Sequence, residues 1–175
     1  ADGVHGDNTD GIGLVRDITR HAGVALRGAR VLLVGAGGAG AGVLGPLLSE
    51  GPAELVLSNR TESRAQTVVL RHADWARRHG VRLLPSGLMD MAGHFDVVIN
   101  GTAASLQGGE PPLPASAIRP GTLVVDMMYG PKAQAFADWA RAQGGTVRDG
   151  LVHQAHRVAD RAFGGAGDQG ESVGG

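Results

Sequence analysis

Three groups of residues have the types and the spacing to do chemistry. The first is Gly35-Ala36-Gly37-Gly38-Ala39-Gly40, a G-x-G-x-x-G pattern directly after the apolar run Val31-Leu32-Leu33-Val34. After a strand and before a helix, its first glycine allows a tight turn, its second lets the backbone approach a pyrophosphate, and its third lets helix and strand pack closely. The free N–H groups and the dipole at the helix N-terminus then favour an anion. The alternative is a tight strand-to-helix turn with no ligand. The second group is Asn59-Arg60-Thr61-Glu62-Ser63-Arg64. An NAD site usually carries Asp or Glu at the end of the second strand to hold the ribose hydroxyls. None stands there, whereas Arg60 can pair a 2′-phosphate bidentately or stack on adenine, and Arg64 points from the same first helical turn. These residues select NADP over NAD, against the alternative of two solvated arginines in a chain with 15 arginines. The third group is Gly6-Asp7-Asn8-Thr9-Asp10-Gly11, where Asp10 is an acid at a helix start. For such an acid, interaction with the helix dipole is the commoner role.

These groups need a scaffold, and the hydrophobic pattern supplies one. The continuous apolar run at 31–34 reads as a strand buried on both faces, and the stretches at 54–57, 81–84 (ended by Pro85), 96–99 and 123–126 read as further strands, with a shorter, less sharply marked one at 146–148. Helical stretches lie between them. Residues 39–48 follow the glycine turn. Residues 61–79 have Thr61 as N-cap and Val68, Val69, Ala73 and Ala76 as the apolar positions. Residues 133–143 carry Phe136, Trp139 and Ala140 on one face, and residues 10–21 place Ile12, Leu14, Val15 and Ile18 on a helix. Strands alternating with helices predict an α/β fold, a doubly wound parallel sheet of the Rossmann type. The expected division is a helix carrying the Asn-Thr-Asp motif at 1–22, a dinucleotide-binding domain at 23–150, a last helix at 151–163 and a disordered tail at 164–175.

Composition closes off other classes. The chain has 175 residues with Lys+Arg 16 against Asp+Glu 17, without the basic excess of a nucleic-acid module. There is no cysteine, so disulfides, thiolate metal sites and cysteine nucleophiles are excluded. Residues 31–48 are uncharged but hold six glycines and Pro46, which argues against a membrane span. No secretory leader is visible at the start, and the expected location is the cytoplasm. His153 and His156 share a helix face without a third ligand, so no metal site is expected. Ser86 and Ser105 belong to no nucleophile–base arrangement, and Trp75 and Trp139 are expected to be packing anchors.

Together with Asn100-Gly101-Thr102 and Asp126-Met127-Met128-Tyr129, the three groups resemble shikimate dehydrogenase, the NADP-dependent enzyme of aromatic amino-acid biosynthesis. The resemblance runs from about residue 1 to residue 150. It implies reversible hydride transfer between 3-dehydroshikimate and shikimate. By the same match, Asp10 is the aspartate that hydrogen-bonds the substrate hydroxyl and shares proton transfer with a lysine. Gly35, Ala36, Gly37, Gly38 and Ala39 would take the pyrophosphate, and Asn59, Arg60, Thr61 and Arg64 the 2′-phosphate side. Thr102 and Met127 would lie by the nicotinamide, Gly150 near the cofactor, and Tyr129 and Gln154 at the substrate.

This sequence departs from the family pattern in three places. The family's separate substrate domain, with paired serines, the catalytic lysine and a substrate-binding asparagine, precedes the Asn-Thr-Asp motif and has no counterpart in these 175 residues. The one lysine, Lys132, is in the wrong context to replace it. Asp149-Gly150-Leu151-Val152-His153-Gln154 is three residues shorter than the family's last-helix motif, and Gln134-Ala135 stands where Thr-Pro is usual. The expected function is therefore the cofactor half of a shikimate dehydrogenase, inactive by itself. The alternatives are a quinate/shikimate-type relative and a non-catalytic NADP-binding module.

Overall fold

The computed structural model describes residues 9–102, 113–128 and 131–148, leaving aside the side chains of Thr9 and Lys132. Six strands form one sheet in the order β3-β2-β1-β4-β5-β6. They are β1 Arg30–Val34, β2 Glu54–Ser58, β3 Arg82–Ser86, β4 Val97–Asn100, β5 Leu123–Asp126 and β6 Thr146–Arg148. Every neighbouring pair is parallel. The middles of the inner strands are apolar because both their faces are covered, and polar residues stand only at their ends. Val31, Leu33, Leu55, Leu57 and Ile99 pack with residues of α1 (Thr9–Arg16), α2 (Gly38–Ser49) and α3 (Glu62–Arg78). Leu32, Val34, Val98 and Val124 pack on the opposite side with Phe136 and Ala140 of α4 (Pro131–Ala142). The doubly wound α/β fold expected from the sequence is what forms. The uncharged stretch at 31–48 divides into β1, the glycine turn and α2. Among the described residues no helix is long and apolar enough to cross a membrane.

The strand order reverses between β1 and β4, and a ligand crevice opens beyond the strand ends at such a point. Backbone contact closes the floor of this one. Gly35 sits at φ +105°, a conformation that L side chains rarely adopt, and a Cβ there would lie 3.2 Å from the carbonyl of Gly101 and from Cβ of Thr102. A Cβ on Gly40 would run into the carbonyl oxygen of Gly35. Gly37 and Gly38 differ, because a Cβ on either meets nothing within 4 Å.

Three local expectations are corrected. Pro85 does not end β3 but lies inside it, opposite Leu57. β3 is an edge strand, so a residue with no N–H can face away from the ladder without leaving an acceptor unpaired. The first helix, expected to leave Ile12, Leu14, Val15 and Ile18 partly exposed where the family's substrate domain would pack, buries two of them. Leu14 and Ile18 are fully buried in the sheet core, Val15 is half-buried, and only Ile12 stands out at 51 % exposure. Trp75 is no buried anchor either. It is 41 % exposed, and its indole N–H donates to the Gly45 carbonyl (3.3 Å) and to Ser49 Oγ (3.1 Å), because the small outer face of α2 leaves a groove beside α3. Trp139 does pack against the core beside Phe136.

The helix carrying Asp10 is tied to the sheet by a pair no local pattern announces. After Arg16 the chain widens into a π-helical turn, Asp17–His21, closed by the Ala22 N–H donating to the Asp17 carbonyl at 2.8 Å. The Asp17 carboxylate is fully buried and receives both arms of Arg148 at the end of β6, Nε at 2.9 Å and Nη2 at 2.7 Å. Breaking a buried pair from one side strands the other charge. Arg148→Ala is therefore expected to lower unfolding free energy by about 3–5 kcal/mol in denaturant melts. Arg77→Ala removes an exposed surface pair and should stay within about 1 kcal/mol. Equal costs for the two would show that Arg148 is ordinary surface. In the same assay Gly40→Ala should destabilise by about 1–3 kcal/mol despite alanine's better helix propensity, because of the Gly35 collision. Gly38→Ala, with open space around it, should be neutral or mildly stabilising.

Candidate functional site

The β1–α2 turn, the β2–α3 turn and the segments after β4 and β5 meet at the carboxyl ends of the strands. β1 ends where Gly35 N–H donates to the Ser58 carbonyl at the end of β2 (2.7 Å), turning the chain over the sheet edge. Gly37 then takes the N-cap position of α2 with extended φ and ψ, and no side chain caps this helix end. Gly37, Gly38 and Ala39 are exposed, and the first-turn N–H groups of α2 point out of the fold. The turn thus pairs two glycines that the protein's own packing requires with two that it does not.

Asn59 locks this turn to the next one. Its Oδ1 accepts from Ala36 N–H (3.1 Å), its Nδ2 donates to the Thr61 carbonyl (2.9 Å), and its own N–H donates to the Ser86 carbonyl (3.1 Å). The sequence reading placed Asn59 among phosphate contacts, whereas its amide is already engaged in holding the glycine turn beside the start of α3. Thr61 occupies the N-cap of α3 as expected, but its hydroxyl makes no capping bond. Arg60, Thr61 and Arg64 are all exposed. Neither arginine forms an ion pair with another described residue. The Glu62 carboxylate lies on the Gly87 and Asp90 side. Two uncommitted guanidinium groups and a hydroxyl therefore stand at the end of β2, next to the glycine turn.

On the other side of the reversal, Gly101 N–H donates to the Val34 carbonyl (2.8 Å) and Met127 N–H to the Asn100 carbonyl (2.9 Å). Thr102 and Met127 are half-buried there. Asp10 stands exposed in the first turn of α1, a helix packed along α2. Tyr129, Gly150, Gln154, Ser105, His153 and His156 lie outside the described residues. Among the described residues no group of three or more His, Asp or Glu is placed to hold a metal.

Sequence reasoning missed two buried polar pairs, Asp17 with Arg148 and Asn100 with Asp126. Asp17 gave no signal, being one acid in a helix. Asn100 and Asp126 were visible as the last residues of two apolar strands, a place where a buried polar side chain has a loop to hold.

Comparison with known proteins follows this geometry. A model of the shikimate / quinate 5-dehydrogenase family matches residues 17–108. The NADP(+)-dependent shikimate dehydrogenase of Methylibium petroleiphilum is 60 % identical over 160 residues, covering 91 % of this chain and 54 % of that protein. The enzyme of the same name from Paracidovorax citrulli is 59 % identical over 161 residues, covering 91 % of this chain and 57 % of its own. The chain thus spans about half the length of the curated relatives it matches. Among solved structures, an Ael1 enzyme from Pseudomonas putida superposes with TM-score 0.72 at 37 % identity, covering 94 % of this chain and 59 % of that one. Shikimate 5-dehydrogenase from Thermus thermophilus, in complex with NADP(H) and shikimate, gives 0.65 at 30 % identity over 90 % of this chain and 57 % of its own. A family model that covers more than half of the chain establishes that the chain belongs to the shikimate / quinate 5-dehydrogenase family.

Proposed function

We propose that this chain is the NADP-binding part of a cytoplasmic shikimate dehydrogenase, which interconverts 3-dehydroshikimate and shikimate. The observation that carries the reading is the donor set around the crevice. Open space lies above Gly37 and Gly38, a helix N-terminus faces it, and two exposed arginines stand where an NAD site would hold a carboxylate. A pyrophosphate fits the N–H groups of residues 37–39, and a 2′-phosphate fits Arg60, Arg64 and the Thr61 hydroxyl. Gly35 and Ala36 shape the turn, and Asn59 holds it against the arginines. Thr102, Met127 and Gly150 border the nicotinamide. When bound, the cofactor supplies or accepts a hydride.

The chain's own residues supply part of the substrate site. Asp10 accepts a hydrogen bond from the substrate hydroxyl next to the reacting carbon, and Tyr129 and Gln154 contact the substrate. A carbon that loses hydride leaves an oxygen that must lose its proton, and a charged group at that oxygen lowers the barrier. The partner lysine and most substrate contacts belong to a substrate domain that the relatives' additional length would hold. That domain is the chain's main partner, and neither nucleic acid nor a membrane enters the reading. The 60 % identity to a protein named shikimate dehydrogenase favours shikimate over quinate.

Two outcomes test this. NADPH should bind the purified chain more tightly than NADH, and Arg60→Ala should abolish that preference at a cost of roughly 1.5–3 kcal/mol, measured by fluorescence or calorimetric titration. Absence of a preference would remove the phosphate clamp. The 175-residue chain should show no turnover of shikimate with NADP. Measurable turnover would show that the proton-transfer machinery is complete without the lysine.

A further inference from the structure

Two polar side chains are buried side by side under one half of the crevice, and no step above uses them. Asn100 ends β4 and Asp126 ends β5, directly opposite each other in register, at 2 % and 1 % exposure. A buried carboxylate is costly, and a pair of aliphatic residues would fill the space without that cost. What the pair supplies is direction. Asp126 Oδ1 accepts from Asn100 Nδ2 (3.3 Å) and from the Met128 N–H (2.9 Å), while Asn100 Oδ1 accepts from the Thr102 N–H (3.2 Å). Thr102 and Met128 lie just beyond the ends of two neighbouring strands, where the ladder stops supplying acceptors for their N–H groups. The side chains take over there. A continuous run of bonds then leads from the Val34 carbonyl through Gly101 and Asn100 to Asp126 and Met128. The glycine turn is pressed against the same Gly101. The adenosine half of the crevice has its own separate brace, the Asn59 amide between Ala36 and Thr61.

We propose that Asn100 and Asp126 form a positioning pair that aims the two segments on the nicotinamide side, at Thr102 and at Met127-Met128, and leaves the adenosine side alone. The proposal rests on the reading of the crevice as an NADP site. It makes the two halves of the cofactor separable by mutation, because each half has its own buried brace.

The test compares NADPH with adenosine 2′,5′-bisphosphate, which carries the 2′-phosphate and lacks nicotinamide, by calorimetric titration of the full 175-residue chain. The wild type should bind NADPH more tightly than the bisphosphate. Asn100→Asp sets two carboxylates against each other and should weaken NADPH by about tenfold, the scale of one hydrogen bond to a charged group, while bisphosphate binding stays where it was. The double variant Asn100→Asp/Asp126→Asn restores a donor to every acceptor with the charge moved one strand across, and should recover NADPH binding. If the single variant does not fold by circular dichroism, the double variant against Asp126→Leu carries the same comparison. The positioning role is overturned if the single variant loses both ligands alike or neither, or if the swap fails to recover NADPH. It is also overturned if the wild type binds the two ligands equally. A wild type that binds neither ligand overturns the cofactor reading itself, and the pair's role with it.

Discussion

The architecture depends on one steric constraint, the meeting of three backbones at the reversal between β1 and β4. Gly35, Gly40 and Gly101 come close enough that Gly40 has no room for a side chain and Gly35, at positive φ, has little. Because Gly40 lies against the Gly35 carbonyl, α2 starts immediately over the end of β1, and its first N–H groups face the crevice. Because Gly35 lies against Gly101, the end of β4 is fixed relative to that turn. The two ends of the crevice, at the glycine turn and at the segment after β4, are thereby set by the same contact. A methyl group at Gly40 would move both.

Around that contact the two ends of the sheet are built differently. At the amino ends, Arg30 acts as a staple. Its guanidinium donates to Glu54 and to the carbonyls of His94 and Ala92, each at 2.8 Å, and lies 4.2 Å from the centre of the Phe95 ring. These bonds join β1, β2 and the segment before β4. At the carboxyl ends the buried polar groups hold loops instead. Asn100 and Asp126 fix the segments after β4 and β5, and Arg148 at the end of β6 takes hold of Asp17. The amino ends thus carry a staple between strands, whereas the polar groups at the carboxyl ends hold the segments that follow the strands or the helix packed beside them. That division suits a sheet whose ligands gather beyond the carboxyl ends of its strands.

Much of this was legible in the sequence, and the reasons are local. Each inner strand holds a run of three or four apolar residues ending in glycine or a polar residue, so strand positions followed from composition to within a residue or two. The glycine turn was legible because each glycine answers to a different steric demand, and two of them, Gly35 and Gly40, meet it here. Arg60 and Arg64 were legible as an exposed basic pair beside a strand end that carries no carboxylate. What stayed hidden is set by long-range pairing. Asp17 and Arg148 lie 131 residues apart, and nothing near either one marks it as half of a buried pair. Asn59 was read as a phosphate contact from its place beside Arg60, and its bridging of Ala36 and Thr61 shows only in the fold. Pro85 looked like a strand end because a central strand excludes proline, and only the sheet order reveals that β3 is an edge. Trp75 looked buried because it is large and apolar, and only the small outer face of α2 explains its place on a groove.

The central claim is that the turn after β2 grips a phosphate that NAD does not have, and phosphorus NMR of NADP⁺ bound to the chain reads that grip directly. A free phosphate monoester titrates near pH 6, at about its second ionisation. Pairing with two guanidinium groups favours the dianion, so the bound 2′-phosphate should titrate at clearly lower pH and move in chemical shift. Arg60→Ala should return both values toward those of the free cofactor. A 2′-phosphate that keeps its free titration curve while the diphosphate signals move would contradict the account, because the cofactor would then be held without the arginines.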